Sequence, residues 1–189
     1  MARQGVCQCG LEEVLFLLPA VFPHKSYSGA SFEQRLGMLS AALAGEARYS
    51  IGSSEEGLFV DIARACRPEY PPEAKFFFLC GRDAAERIIG WNYAGGTRFE
   101  DLLEEFQMLV APREGRWVIP AGLEARIQLL SLAPGWEACS SSVVREAVAA
   151  GASWEALVPE AVAAMIRRER LYVNDPVAAN TLTTERRQE

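Results

Sequence analysis

The stretch Lys75-Phe76-Phe77-Phe78-Leu79-Cys80-Gly81-Arg82-Asp83 decides the fold. Its apolar run ends at a glycine and two charged side chains, a pattern typical of a buried strand followed by the start of a helix. Parallel strands are covered by helices on both faces and therefore read as continuous apolar runs. The stretch predicts a strand over 75–80 and a helix over 83–89, joined at the carboxyl end of the strand.

The same alternation extends outward in both directions. Apolar runs predict further strands over 14–18, 108–111 and 127–132, the first of them fully buried. Helical spacing predicts helices over 31–43 (capped by Ser31), 97–106, 143–150 and 159–168, and a Ser-Ser-Glu-Glu capping box at 53–56 predicts one more. Strands alternating with helices indicate an α/β fold with a parallel sheet and helices on both faces. We expect a single domain over 1–172 and a flexible tail over 173–189.

Composition limits the partners. The chain has 189 residues and a net charge of −6, which argues against a large nucleic-acid surface. Cys7 and Cys9 form a lone C-x-C pair without further zinc ligands, and His24 is the single histidine, so we expect no metal site made by the protein. No run is long enough to span a membrane, and no secretory leader is visible. These features predict a cytoplasmic protein that binds neither nucleic acid nor membrane.

Ligands of parallel sheets bind beyond the carboxyl ends of the strands. Polar clusters follow the predicted strands at their carboxyl ends, and we expect all of these clusters to face one crevice. In chain order they are His24 and Lys25, Gly81 and Asp83 with Trp91 one helix later, Arg113, and Ser140-Ser141-Ser142 with Arg145.

The serine cluster carries the clearest chemistry. Serines that open a helix place hydroxyls and unpaired backbone N–H groups at the positive end of the helix dipole, which suits an anion. Arg145, about one turn later, can curl back and offer several donors to phosphate oxygens. An ordinary helix cap with a surface arginine is the more common explanation of such a pattern taken alone.

The other clusters are equally open when taken singly. Asp83 could cap a helix or accept both hydroxyls of a ribose. Trp91 could be a core residue or could offer a flat face to a heteroaromatic ring. His24 and Lys25 could be no more than a solvated turn.

Taken in order, these clusters resemble the bacterial nicotinate-nucleotide adenylyltransferases of the nucleotidylyltransferase superfamily. The resemblance runs from about residue 11 to residue 172. It rests on Val21-Phe22-Pro23-His24-Lys25, Arg35-Leu36-Gly37-Met38, Gly81-Arg82-Asp83 with Trp91, Cys139-Ser140-Ser141-Ser142-Val143-Val144-Arg145, and Val158-Pro159 with Ile166 and Leu171-Tyr172.

The resemblance implies a Rossmann-like nucleotidylyltransferase fold and transfer of AMP from ATP to nicotinate mononucleotide, releasing pyrophosphate in NAD biosynthesis. It implies that ATP is bound by Gly81, Asp83, Ser141, Ser142 and Arg145, with Mg²⁺ as counter-charge. Residues expected on the mononucleotide side are His24, Lys25, Trp91 and Arg113. Such chemistry depends on positioning and charge neutralisation rather than on a covalent nucleophile.

The chain departs from the family at its start. The family opens with a strand, a Gly-rich turn and His-x-Gly-His, whereas residues 1–10 resemble only the end of the helix that follows. We therefore expect the first strand and the catalytic histidines to be missing, through a misassigned start or a truncation, and no catalytic residue is identified. Loss of such donors costs about 2.7–4 kcal/mol each, which predicts impaired turnover. Smaller departures are Arg82, where the family has a small residue, and Phe22, where it has proline.

Two alternatives stay open. One is another nucleotidylyltransferase of the same superfamily with a cytidylyl or phosphopantetheine-type substrate. The other is a nucleotide-binding module without turnover, because the binding residues are present and the catalytic histidines are not.

Overall fold

Five strands and seven α-helices occur in the residues that the computed structural model describes, which are 1–19, 29–93, 95, 97–112, 117–132, 135 and 139–173. In chain order they are α1 (Ala2–Cys9), β1 (Val14–Pro19), α2 (Phe32–Leu43), β2 (Tyr49–Ser54), α3 (Phe59–Cys66), β3 (Phe77–Gly81), α4 (Arg82–Ile89), α5 (Phe99–Leu102), β4 (Gln107–Ala111), β5 (Ile127–Leu129), α6 (Ser141–Ala149) and α7 (Glu160–Glu169). They fall into two compact units, Met1–Val14 with Ser54–Ala138, and Leu15–Ser53 with Cys139–Glu189.

The first unit is built on a parallel sheet of order β3-β4-β5. Leu79 of β3 pairs with Leu109 of β4, and both side chains lie against Gly5 of α1. A Cβ atom at Gly5 would come within 3.1 Å of the Leu79 side chain, so glycine permits this close approach of helix and sheet. Helix α1 therefore covers one face of the sheet.

The opposite face of the same sheet carries the main core of the first unit. Cys80, Met108 and Val110 alternate with the residues that face α1, and they join a buried cluster with α3, α4 and α5. Phe59 stacks on Phe78 at 4.0 Å between ring centroids. Helices thus cover both faces of the parallel sheet, as the sequence predicts.

The second unit combines the β1–β2 sheet with α2, α6 and α7. Ser31 caps α2: its hydroxyl accepts the Gln34 N–H, and the Gln34 side chain accepts the Ser31 N–H in return. Gly37 lets α2 approach α7, because a Cβ atom there would lie 2.9 Å from the methyl carbon of Met165. The buried residues of this unit form a separate cluster, which includes Val144, Val148, Val162, Ala163 and Ile166.

Several sequence predictions are confirmed and several are wrong. Strands β1, β3 and β4 and helices α2, α4, α6 and α7 lie within two residues of the predicted bounds. The capping box at 53–56 is wrong, because Ser53 and Ser54 end β2, a strand that was not predicted, and α3 begins only at Phe59. Strand β1 is half-buried rather than fully buried. Helix α5 and strand β5 are shorter than predicted, with one helical turn and three residues.

Two expectations from the sequence stay predictions. A single domain over 1–172 is one of them, and a flexible tail is the other, since residues 174–189 lie outside the described part. Every helix within the described residues is too short or too polar to cross a lipid bilayer.

Candidate functional site

The carboxyl end of β3 leads directly into a helix. Gly81 is both the last residue of β3 and the residue that caps α4, so Arg82 and Asp83 occupy the first turn of that helix. Asp83 is exposed, as a residue must be to accept hydroxyls from a ligand. Arg82 donates from Nε to Oε1 of Glu86 at 2.8 Å, one helical turn later. This ion pair directs the arginine along α4, and the pair raises the pKa of Arg82.

Trp91 follows the opposite end of α4. The residue is 40% exposed. Trp91 is therefore not a core residue, which was one of the two roles that the sequence left open. Its backbone N–H donates to the carbonyl of Ile88 at 3.3 Å. Helix α4 has eight residues, so its two ends lie about 12 Å apart along the axis. The first unit therefore presents an exposed carboxylate and an exposed indole at the two ends of α4.

In the second unit, the serine cluster opens helix α6. Ser140 caps the helix, and its hydroxyl accepts the N–H of Val143 at 3.2 Å. Ser141 and Ser142 form the exposed first turn, where backbone N–H groups have no partner inside the helix. Arg145 donates from Nη2 to the hydroxyl of Ser142 at 3.2 Å, so it does curl back over the start of the helix. Hydroxyls, N–H groups and a guanidinium thus lie together at the positive end of the dipole.

A cavity of about 180 Å³ adjoins this helix start. Ser141 and Arg145 contribute to its lining. The remaining wall is mainly apolar and comes from α2, α6, α7 and the residues on either side of α7, with Met38, Val144, Val158, Val162, Ile166 and Tyr172. The aliphatic stem of Arg145 can pack on such a wall while its charged end stays accessible. The hydrogen bond to Ser142 places the arginine between this cavity and the serines.

The structure describes six of the nine predicted site residues. Gly81, Asp83 and Trp91 belong to the first unit, and Ser141, Ser142 and Arg145 belong to the second. His24, Lys25 and Arg113 lie outside the described residues. Within each unit the predicted residues adjoin one helix, α4 or α6 respectively.

Glu86 was missed by the sequence reasoning. It holds Arg82 by an ion pair one turn along α4. The spacing of four residues between opposite charges on a predicted helix was the available signal.

The described residues contain no group of three or more His, Cys, Asp or Glu side chains that could hold a metal ion. A Mg²⁺ ion does not need such a group, because it keeps most of its water and is commonly held by substrate phosphates with one or two carboxylates.

Comparisons with a family model and with the sequences of known proteins agree on one family. The model of the cytidylyltransferase-like family matches residues 1–147. A protein of Gloeobacter violaceus named probable nicotinate-nucleotide adenylyltransferase is 33% identical over 91% of this chain and 87% of its own length. A protein of the same name from Exiguobacterium sibiricum is also 33% identical, over 91% of this chain and 89% of its own.

Solved structures agree on the fold. The nicotinic acid mononucleotide adenylyltransferase of Plasmodium falciparum, in a complex described as containing NaAD, superposes with a TM-score of 0.66. That match covers 86% of this chain and 83% of the other, at 16% identity. The same enzyme in a complex described as containing APC gives a TM-score of 0.63. At this identity the likeness establishes the Rossmann-like fold.

Proposed function

Because the chain belongs to the cytidylyltransferase-like family and, within it, to the nicotinate-nucleotide adenylyltransferases, we propose that it transfers AMP from ATP to nicotinate mononucleotide and releases pyrophosphate in NAD synthesis. The phosphate of the mononucleotide attacks the α-phosphorus of ATP in line. One P–O bond forms to the attacking oxygen, and the bond to the pyrophosphate leaving group breaks.

The start of α6 carries this proposal. The exposed turn at Ser141 and Ser142, with Arg145 folded back onto it, combines hydrogen-bond donors and positive charge at one point. ATP phosphates need both, and a helix N-terminus supplies them without reorganisation. We assign the ATP phosphates to these three residues. The guanidinium is planar and can bind two phosphate oxygens at once.

The first unit is assigned the adenosine and the pyridine ring. Asp83 is exposed at the carboxyl end of β3, where an acidic residue of a nucleotide-binding fold can accept ribose hydroxyls. Gly81 beside it permits close approach of the ligand. The exposed indole of Trp91 is assigned to stacking on the pyridine ring of the mononucleotide. His24, Lys25 and Arg113 are assigned to the mononucleotide phosphate on the family resemblance alone.

Magnesium is proposed to enter with ATP. It would lie on the phosphates and keep most of its coordinated water. When bound, the ion supplies counter-charge for the phosphates. The chain's own residues orient the nucleotide and limit its movement.

The rate of turnover is a separate matter. The 189-residue chain has one histidine, His24, so it cannot supply the histidine pair of the family's His-x-Gly-His motif. We therefore expect this polypeptide to bind both substrates and to turn over slowly. A second candidate function is a nucleotide-binding module without turnover.

One set of measurements separates the candidates. Binding of ATP and nicotinate mononucleotide is measured by calorimetry, and pyrophosphate release is followed with both present. The adenylyltransferase proposal predicts saturable binding of both ligands and slow, Mg²⁺-dependent release. Binding without any release identifies the module. Release from ATP with phosphopantetheine as acceptor, or from cytidine triphosphate with a phosphate-bearing acceptor, but not from ATP with nicotinate mononucleotide, identifies another member of the superfamily.

A further inference from the structure

The end of helix α4 is held by a tyrosine hydroxyl. Ile88 lies in the last turn of α4, where carbonyl groups have no partner inside the helix. Its carbonyl oxygen accepts the N–H of Trp91 at 3.3 Å and the hydroxyl of Tyr93 at 3.0 Å. A carbonyl oxygen has two lone pairs, so these two donors use both of them. The chain is therefore tied to the helix at Trp91 itself and again two residues later.

Tyr93 is a firm anchor for this purpose. Its side chain is buried in the core of the first unit, and its ring stacks on Phe99 at 6.4 Å between centroids and 22° between planes. The Tyr93 hydroxyl is a hydrogen-bond donor at neutral pH, as that of any tyrosine is, and burial raises its pKa further. The hydroxyl thus connects the rigid core to the end of α4.

Trp91 has the opposite character. It lies two residues before Tyr93 and is one of a few large apolar side chains in the described residues that are exposed. An exposed indole on an untethered loop loses conformational entropy when it orders against a ligand, and this loss weakens binding. An indole whose backbone is already anchored loses less.

We propose that Tyr93 is a positioning residue for the mononucleotide: its hydroxyl, bound to the Ile88 carbonyl, fixes the segment that presents the indole of Trp91 to the pyridine ring. The inference rests on the stacking role of Trp91 in the proposed function. Tyr93 itself touches no substrate. Its contribution is to keep the indole face in place before the ligand arrives.

The variant Tyr93→Phe tests this role, because it keeps the ring and its packing on Phe99 and removes only the hydroxyl. Loss of one neutral hydrogen bond predicts a Kd for nicotinate mononucleotide about 2- to 12-fold higher than in the unaltered chain. The Kd of ATP should not change. Tyr70→Phe is the matched control, since Tyr70 also lies in the first unit, packs on Phe76 and interacts with Glu13 through its hydroxyl. It should bind both ligands normally.

A second measurement needs no ligand. Acrylamide quenching of tryptophan fluorescence, taken as the difference between each protein and its Trp91→Phe partner, isolates the indole of Trp91 from the other three tryptophans of the chain. We expect the Trp91 signal to be quenched more readily in Tyr93→Phe than in the unaltered chain. Thermal unfolding in parallel verifies that the variant is folded.

The outcomes are distinct. Unchanged mononucleotide affinity and unchanged quenching in Tyr93→Phe would overturn the inference, and so would equal weakening of mononucleotide and ATP, which indicates a general loss of structure. The variant Trp91→Ala distinguishes a failure of the stacking role of Trp91 from a failure of the positioning role of Tyr93. If Trp91→Ala binds the mononucleotide normally, the stacking role in the proposed function fails. If Trp91→Ala weakens binding while Tyr93→Phe does not, only the positioning role fails.

Discussion

Replacing Arg145 by alanine removes the side chain on which the ATP assignment depends most. The guanidinium of Arg145 is held at the start of α6 by the Ser142 hydroxyl, 3.2 Å away, and lines the apolar cavity beside Ser141. Because the side chain is already placed before ATP arrives, little ordering cost offsets its hydrogen bonds to phosphate. A hydrogen bond to a charged group contributes about 1.5–3 kcal/mol.

That range corresponds to a Kd for ATP about 12- to 140-fold higher in Arg145→Ala. The side chain is only half-buried, so water and salt screen its charge, and we expect the lower half of the range. Arg145→Lys should recover part of the loss, because a lysine keeps the charge but not the paired donors of the guanidinium. The nicotinate mononucleotide affinity should stay the same.

Isothermal titration calorimetry with ATP in low and high salt measures the effect. Arg168→Ala is the matched control, since Arg168 lies in the same unit, is exposed and pairs with Glu169 rather than with the serine cluster. The control removes the same charge and should leave ATP affinity unchanged. If Arg145→Ala binds ATP as tightly as Arg168→Ala does, Arg145 does not bind the phosphates and the reasoning is refuted.

Three further predictions concern stability. Ser31→Ala should lower the free energy of unfolding by about 1 kcal/mol in a urea titration, because it removes the cap of α2. Ser40→Ala, on the exposed side of α2, is the control and should have little effect in the same titration. Gly37→Ala should change the free energy of unfolding by no more than about 1 kcal/mol, because the new Cβ meets only the methyl end of the flexible Met165 side chain and alanine is the better helix former; a larger loss in the urea titration would show that Met165 cannot move aside. Burial raises the pKa of Cys80 from 9.0 to about 12, so its contribution to stability is complete below pH 9 and is lost as pH rises toward 12. Over that window the unaltered chain should lose up to about 4 kcal/mol more than Cys80→Ala in unfolding experiments, and equal losses in both would contradict the burial of this thiol.

The sequence predicted most of the elements that have a strong local signal. Strands β3 and β4 are nearly continuous apolar runs, and each pairs along its whole length in the parallel sheet. Helix α2 has both a capping serine and apolar residues at helical spacing, so its start and end were predicted to within one residue.

Strand β2 was missed for a physical reason. Its sequence, Tyr49-Ser50-Ile51-Gly52-Ser53-Ser54, contains a glycine and three serines, which are weak strand formers. Gly52 fits closely there, because a Cβ atom would lie 3.0 Å from the Leu17 side chain of β1. That contact is tertiary, and no local pattern reports it. Ser53 and Ser54 followed by two glutamates imitate a helix cap instead.

The candidate site was predicted in part. The spacing on a helix predicted that Arg145 can curl back over the serine cluster, and its hydrogen bond to Ser142 agrees with this. The exposure of Trp91 could not be decided from the sequence, because an aromatic residue after a helix is compatible with core and surface alike. The role of Tyr93 depends on a hydrogen bond to the Ile88 carbonyl, which becomes visible only when the end of α4 is placed against the core.

A crystal structure of the chain with a non-hydrolysable ATP analogue tests the central claim most directly. The account predicts phosphate oxygens within hydrogen-bonding distance, about 2.7–3.2 Å, of the hydroxyls of Ser141 and Ser142 and of the Arg145 guanidinium. An ATP analogue bound with its phosphates away from the start of α6 would contradict it.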